Sequence, residues 1–209
     1  MAAPLILAFD TSAAFCAAAV LLDDRVLAAA EEPMAMGQAE RLMPLLAELL
    51  AMAGAGWRDL AAIGVGTGPG NFTGVRLSVS AARGLALSLG RPAIGVTRLE
   101  ALAEGLPQPL AVIEDARRGA LYLQRFGPTT AAELVEPDSL PDLGALPRTG
   151  GGAALIPGGV ILPPAMPLAV AIARITARRL GTPQPRPAPL YLRAADAAVS
   201  SDPPPVILS

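Results

Sequence analysis

A glycine-rich loop between a strand-like and a helix-like segment is the feature that most limits how this chain can fold. Residues 61–66 have the pattern of a buried strand, residues 67–74 read Thr-Gly-Pro-Gly-Asn-Phe-Thr-Gly, and residues 75–89 have the pattern of a helix. Glycines at such a junction let the backbone approach another group closely, and the amides of a helix start can receive an anion. The loop is therefore either a nucleotide cradle or a tight structural turn.

Neither of the two best-known phosphate-binding patterns fits this loop. A P-loop requires a lysine after its last glycine, and the chain contains no lysine, since all its basic residues are arginine. A dinucleotide fingerprint requires glycines at the spacing G-x-G-x-x-G, and from each starting pair the third position holds another residue. The residues alone therefore favour a tight turn and a capped helix, with Asn71 or Thr73 as the N-cap.

Composition excludes several kinds of catalytic centre. The chain has 209 residues, of which 53% are hydrophobic, so one large domain or two small ones can bury a substantial core. It contains no histidine, which excludes Ser-His and Cys-His pairs and imidazole-bound metals. A carboxylate-bound magnesium site stays compatible with the composition, but we predict no metal ligands. The single cysteine, Cys16, excludes an internal disulfide, and we expect it to be a small buried residue of a strand.

Hydropathy and charge argue against a membrane or a nucleic acid as the partner of the chain alone. The longest uncharged run, residues 149–173, contains four prolines and several glycines, and such a backbone cannot stay hydrogen-bonded in lipid. The N-terminus lacks the basic region of a signal peptide, so we expect a cytoplasmic protein. The net charge is −2 and aromatic residues make up 3% of the chain, so no basic stripe is predicted to hold nucleic acid unaided.

The order of predicted elements indicates an α/β fold. Apolar runs, turn residues and the change to a helical period predict three strands followed by alternating helices and strands. In chain order the elements lie at residues 5–9, 15–22, 25–31, 38–53, 61–66, 75–89, 92–96 and 99–104, the last of them capped by Thr97. This order is typical of the ribonuclease-H-like half of actin-like ATPases and sugar kinases, an analogy of fold that does not fix a function.

A stretch containing glycine and proline at residues 105–109 marks a boundary between two predicted subdomains. Residues 1–105 form the ribonuclease-H-like N-terminal subdomain, and residues 106–209 form a smaller, degenerate C-terminal subdomain. Within the C-terminal subdomain we predict a strand pair at residues 110–113 and 120–126, followed by a poorly patterned Pro- and Gly-rich segment at 127–166. A helix at 167–180, a short apolar element at 190–193 and a disordered tail at 200–209 complete it.

The apolar residues of the helix predicted at residues 38–53 cover more than one stripe of the helix surface. They are Leu42, Met43, Leu45, Leu46, Leu49 and Leu50. Such a helix either presents apolar surface to a partner or is buried on two sides within its own fold. The pattern does not decide between these two interpretations.

Five segments of the chain, in order, resemble the TsaB family, which is also called YeaZ. They read LAFDTS, GPGNFTGVR, GVTRLEALA, DARRG and PLYLR, at residues 7–12, 68–76, 95–103, 115–119 and 189–193. The second segment is the specific one, and the similarity between residues 127 and 188 is weaker. The segments are spread over residues 7–193, which is most of the chain.

The resemblance implies an actin-like ATPase fold of two subdomains, each with a mixed β-sheet and flanking helices. It implies a non-catalytic subunit that supports TsaD in forming N6-threonylcarbamoyladenosine on tRNA next to the anticodon. TsaD would be its heterodimer partner, the ATPase TsaE would complete a ternary complex, TsaC would supply threonylcarbamoyl-adenylate, and the chain alone would form a homodimer. The tRNA would be bound only through the complex. No cofactor would be required, and ATP or ADP would bind weakly or only at a subunit interface.

The residues agree that catalysis is not expected. Asp10, Thr11, Gly68 and Gly70 are the candidates for a degenerate phosphate site, although turn capping is the favoured role of Asp10. The second phosphate turn of this fold would carry glycines, whereas residues 115–117 here read Asp-Ala-Arg. A small ATP-dependent phosphotransferase of the same superfamily is the alternative function. No catalytic residue and no protease activity are predicted.

The resemblance also implies a partner surface on the two helices of the N-terminal subdomain. For its outward positions we predict Met43, Leu46 and Leu50 on the first helix and Arg76, Val79 and Arg83 on the second. The family often carries a His-Ser-Glu run at the start of the first helix. Residues 38–40 here read Gln-Ala-Glu, so any role of that histidine is lost in this chain.

Overall fold

The computed structural model describes residues 3–193 and contains two mixed β-sheets. The strands of the first sheet are β1 (Leu5–Asp10), β2 (Phe15–Leu22), β3 (Arg25–Pro33), β4 (Ala62–Gly66) and β5 (Ala93–Val96). They lie in the order β3-β2-β1-β4-β5, with β2 antiparallel to both β1 and β3, and β4 parallel to both β1 and β5. This arrangement confirms the predicted ribonuclease-H-like topology.

Both faces of the first sheet are covered by helices. The helices on this sheet are α1 (Gln38–Met52), α2 (Phe72–Leu89) and α4 (Leu168–Arg179), whereas α3 (Arg98–Ala103) packs against α4 and β6. Strand β1 shows the two faces, because Leu5, Leu7 and Phe9 pack with α1 and α2, whereas Ile6 and Ala8 pack with α4. This burial on both sides explains why β1 is a continuous apolar run rather than an alternating one.

The second sheet consists of β6 (Leu110–Asp115), β7 (Leu121–Phe126), β8 (Glu133–Val135) and β9 (Arg148–Thr149). Their order is β8-β7-β6-β9, with β7 antiparallel to its neighbours and β9 parallel to β6. In order and direction, β8, β7, β6 and β9 therefore correspond to β3, β2, β1 and β4 of the first sheet. The predicted fold class, with a mixed sheet in each part, is confirmed.

The helix α4 follows the second sheet in sequence but packs on β1, β2 and β4 of the first sheet. One hydrophobic cluster joins β1, α3, β6 and α4, so the two parts share a core. The domain boundary at residue 105 stays a prediction. Residues 190–193, predicted as a short apolar element, adopt no regular secondary structure, and the predicted tail at 200–209 lies outside the described residues.

A buried arginine organises the Pro- and Gly-rich segment that follows β8. The side chain of Arg148 is fully buried, and its guanidinium donates to the carbonyl oxygens of Ile156, Pro157 and Gly144 at 2.6, 3.0 and 3.2 Å. Its backbone amide donates to the carbonyl of Val160. Backbone carbonyls thus replace an acidic partner, and they fix a segment that has little pattern of its own.

None of the helices within residues 3–193 is both long enough and apolar enough to cross a membrane. This finding agrees with the sequence-based expectation that residues 149–173 do not form a membrane span. In the structure the N-terminal part of that run forms short turns and a bridge, and only its end enters α4.

Cys16 is a buried residue of β2, as predicted, and burial raises the pKa of its thiol to about 11. The thiolate is the reactive species, so iodoacetamide at pH 8 is expected to leave folded Cys16 unmodified and to alkylate it in denaturant. Mass spectrometry after timed exposure measures the difference. Alkylation of the folded protein at the rate of the denatured protein would contradict the buried position.

Candidate functional site

A cleft of about 960 Å³ lies where β1, β4 and β6 end. Its walls come from the turn after β1, the loop after β4, the hairpin between β6 and β7, and the segment after α4. They include Ser12, Pro69, Gly70, Asn71, Phe72, Thr73, Arg98, Glu114, Asp115, Arg117, Arg118, Tyr191 and Arg193. The ends of parallel strands are the common location of ligand sites in α/β folds, so this cleft is the candidate site.

The glycine-rich loop ends in a capped helix. The Oδ1 atom of Asn71 accepts hydrogen bonds from the amides of Thr73 and Gly74 at 3.0 and 3.1 Å. Asn71, one of the two predicted candidates, is therefore the N-cap of α2, and Thr73 is not. Because the side chain of Asn71 occupies these two amides, they are not free to bind an anion.

The same loop packs directly on the turn that follows β1. The amide of Asn71 donates to the carbonyl of Ser12 at 2.6 Å, and Thr11 Oγ1 donates to the carbonyl of Gly74 at 2.7 Å. A Cβ atom at Gly70 would collide with the Ser12 carbonyl oxygen, and one at Gly74 would collide with that of Thr11. These glycines are thus required for contact between two parts of the protein, as in the tight-turn interpretation.

Asp10 caps the turn that it begins. Its Oδ1 atom accepts hydrogen bonds from the amide and the hydroxyl of Ser12, both at 2.7 Å. Its Oδ2 atom is buried without a hydrogen-bond partner and lies against Gly66, where a Cβ atom would collide with it. Within residues 3–193 no group of three or more acidic, cysteine or histidine side chains is placed to hold a metal ion.

Only one of the four residues predicted for a degenerate phosphate site lines the cleft. Gly70 is in its wall, whereas Asp10 and Thr11 are buried beneath the loop and Gly68 packs against Val75. The residues therefore do not form an open phosphate cradle at the cleft.

The hairpin between β6 and β7 carries side chains where a phosphate-binding turn would have glycines. Asp115 Oδ1 accepts a hydrogen bond from the amide of Arg117 at 2.7 Å, and Arg117 and Arg118 have φ angles of 64° and 54°. Both arginines are exposed at the cleft. The turn presents guanidinium groups rather than backbone amides.

An ion pair that the sequence did not predict links α3 to β6 of the second sheet in the wall of the cleft. Arg98 Nε donates to Glu114 Oε2 at 2.6 Å, and Glu114 Oε1 accepts from the amide of Gly151 at 2.6 Å. The amide of Arg98 also donates to the Gly68 carbonyl at 2.7 Å. The predicted cap Thr97 is confirmed by a reciprocal capping box, but nothing in the sequence pairs Arg98 with Glu114.

The predicted outward positions on the two helices are only half correct. Met43, Arg76 and Arg83 are exposed, whereas Leu46, Leu50 and Val79 are buried. The five leucines of α1 have the spacing i, i+3, i+4, i+7 and i+8, so they share the face that packs on β2 and β3. The prediction that Leu46, Leu50 and Val79 face outward is therefore wrong.

The exposed faces of α1 and α2 nevertheless carry apolar side chains. Met43, Met52 and Leu87 are 42%, 73% and 81% exposed. Both helices cover the same face of the first sheet, so these side chains lie on one side of the molecule. The helix α1 is thus buried along one face, against β2 and β3, rather than on two sides, and Met43 and Met52 remain exposed.

Sequence comparison matches the chain to one family model and to several bacterial proteins. The model of the family described as TsaD, tRNA N6-adenosine threonylcarbamoyltransferase, matches residues 33–138. The tRNA threonylcarbamoyladenosine biosynthesis protein TsaB of Escherichia coli is 36% identical over 127 residues, which are 58% of this chain and 54% of that protein. TsaB of Bacillus subtilis is 40% identical over 123 residues, 56% of this chain and 52% of that protein. An uncharacterised protein of Mycobacterium tuberculosis is 35% identical over 169 residues, 78% of each chain.

The chain belongs to the TsaB (YeaZ) family. The crystal structure of YeaZ from Pseudomonas aeruginosa superposes with a TM-score of 0.72 at 27% identity, covering 90% of this chain and 100% of that one. The match to the TsaB proteins of E. coli and B. subtilis spans about half of their length. The fold of the family is therefore present throughout most of the chain, while sequence identity to named TsaB proteins is confined to a part of it.

Proposed function

We propose that this chain is the non-catalytic subunit that supports TsaD in forming N6-threonylcarbamoyladenosine on tRNA next to the anticodon. The observation that carries the proposal is a TsaB fold in which residues 68–74 cover the turn after β1, residues 10–12, here called the phosphate turn. The hydrogen bonds of Thr11 and Asn71 hold this loop against the turn. A subunit of this kind contributes a surface rather than a reaction centre.

The surface we assign to the partner is the outward side of α1 and α2. Leu87 is its most exposed large apolar side chain, and it continues the row of Arg76 and Arg83 along α2 at spacings of seven and four residues. Met43 contributes from α1. Exposed apolar side chains together with arginine are typical of the centres of protein interfaces.

The remaining parts of the proposal concern assembly and ligands. We propose that TsaD is the heterodimer partner, that TsaE completes a ternary complex, and that the chain alone forms a homodimer in the bacterial cytoplasm. No cofactor is required. ATP or ADP binds only weakly, or only where a second subunit completes the site, because this chain covers its own phosphate turn. The isolated chain binds tRNA only weakly, and tRNA is held within the complex, mainly by TsaD.

Co-purification with TsaD of the same organism tests the proposal. Tagged chain and untagged TsaD are expressed together, and the complex is followed by size-exclusion chromatography with light scattering. The expected result is a complex of defined stoichiometry. Two separate peaks at micromolar concentration would overturn the assigned partnership.

The purified chain is expected to hydrolyse no ATP and to cleave no protein. It has no histidine, and Asp10, the aspartate of the turn after β1, is buried as a turn cap. Phosphate release and casein cleavage are the measurements, with the Asp10→Ala variant as the control for contamination. ATP turnover that the variant loses would favour the alternative, a small phosphotransferase.

A further inference from the structure

The wall of the cleft is rich in arginine, although the net charge of the chain is −2. Four arginines and two carboxylates line it: Arg98, Arg117, Arg118, Arg193, Glu114 and Asp115. Both carboxylates already accept hydrogen bonds. Glu114 accepts from Arg98 and from the amide of Gly151, and Asp115 accepts from the amide of Arg117. Arg98 is paired with Glu114, so the guanidinium groups that we assign to a ligand are those of Arg117 and Arg193, and guanidinium groups attract anions.

Two aromatic rings lie at the same cleft in a fixed arrangement. The ring centroids of Phe72 and Tyr191 are 5.1 Å apart with an interplanar angle of 32°. Arg76 fixes both, since its Cζ atom lies 3.7 Å from the centroid of Phe72 and its Nε donates to the Tyr191 hydroxyl at 2.8 Å. Tyr191 is still 44% exposed. A ring held in this way loses little entropy when a flat ligand stacks on it.

The backbone segment that carries Tyr191 also brings Arg193 to the arginine hairpin. The amide of Leu190 donates to the carbonyl of Thr67 at 2.8 Å, which fixes the segment along the end of β4. Arg193 Nη2 lies 3.5 Å from the carbonyl oxygen of Arg117. The guanidinium of Arg117 has no hydrogen-bond or ion-pair partner within the part of the chain that the structure describes.

We propose that this cleft binds a short single-stranded RNA segment, with a base stacked on Tyr191 and backbone phosphates against Arg117 and Arg193. Guanidinium groups beside an exposed ring are the combination that holds single strands. A free nucleotide would use the phosphate turn, which is covered, and an acidic peptide would leave the rings unused. The inference rests on the proposed function, which makes tRNA the source of the segment.

Fluorescence anisotropy of the full chain with a labelled single-stranded oligoribonucleotide tests the proposal between about 50 and 200 mM salt, where binding through phosphates changes most. Tyr191→Ala is expected to weaken binding about tenfold through the loss of stacking, and Tyr191→Phe to restore it to within about twofold. Arg117→Ala and Arg193→Ala should each lower the slope of log affinity against log salt by about 0.7. Arg58→Ala, an exposed arginine before β4, is the control and should leave the slope unchanged.

Unchanged affinity in Tyr191→Ala, or unchanged slopes in both arginine variants, would overturn the proposal. Displacement of the RNA by ADP at equal molar concentration would assign the cleft to a free nucleotide instead. Displacement by polyglutamate, but not by unlabelled RNA, would assign it to an acidic protein. The same variants are expected to capture TsaD normally. RNA binding through these residues by a chain that does not capture TsaD would support this inference and overturn the proposed function.

Discussion

Leu46→Asp is expected to unfold the protein. Leu46 is fully buried in the cluster between α1 and the first sheet. Removing a buried leucine side chain typically costs about 2–5 kcal/mol, and leaving an unpaired carboxylate in the same place adds several kcal/mol. The sum is comparable to the whole stability of a typical domain, about 5–15 kcal/mol. Circular dichroism and urea unfolding should show loss of the cooperative transition.

Met43→Asp is the matched control, because Met43 lies on the same helix three residues earlier and is 42% exposed. It should retain the spectrum of the original protein and change the unfolding free energy by about 0.5 kcal/mol or less, as is usual at surface positions. Cooperative unfolding of Leu46→Asp at nearly the original urea concentration would mean that α1 is rotated from the orientation described above.

Leu87→Asp is expected to weaken TsaD binding at least about 30-fold while the chain stays folded. Leu87 is 81% exposed on α2 and contributes little to the core. If it is desolvated at the centre of an interface, a charge there should weaken binding by about 2 kcal/mol or more, which is about 30-fold. Titration calorimetry with TsaD measures the affinity, and the melting curve reports the fold.

Val160→Asp is the control for a charge placed on an exposed apolar residue far from these helices. Val160 is 63% exposed in the segment beside β9. The Val160→Asp variant should bind TsaD with unchanged affinity. Equal loss of binding in both variants would indicate a general effect on the protein. Normal binding by Leu87→Asp would move the TsaD surface away from α2.

The sequence predicted those parts of the fold that depend on neighbouring residues. The strands of the first sheet and the cap at Thr97 were read from local patterns, and the structure confirms them. Of the two caps proposed for α2, Asn71 and Thr73, the structure selects Asn71. A strand-to-helix loop with closely spaced glycines also predicted a tight turn. What the glycines touch, the backbone of Thr11 and Ser12, could not be read from the loop itself.

The orientation of α1 was within reach of the sequence but was predicted wrongly. The five leucines follow the spacing of a single buried face, and Met43 lies outside it. The prediction instead chose positions 43, 46 and 50, a row that crosses from the exposed side into the core. Counting every apolar position against the helical template would have assigned Leu46 and Leu50 to the core.

The contacts that shape the cleft could not be predicted because they join residues far apart in the chain. Arg98 and Glu114 are 16 positions apart, and Arg76 and Tyr191 are 115 apart. Buried Arg148 likewise binds backbone carbonyls, which every residue possesses and no pattern singles out. Such interactions depend on the packing of complete elements and are visible only in the folded chain.

Reconstitution of tRNA modification tests the central claim most directly. Purified TsaD, TsaE and TsaC are combined with unmodified tRNA, threonine, bicarbonate and ATP, with and without this chain, and N6-threonylcarbamoyladenosine is quantified by mass spectrometry of the digested tRNA. We predict that the product forms only when TsaD and this chain are both present, and that Leu87→Asp fails to restore it. Product formation by this chain without TsaD, or at the same rate by TsaD without this chain, would contradict its role as a non-catalytic partner subunit.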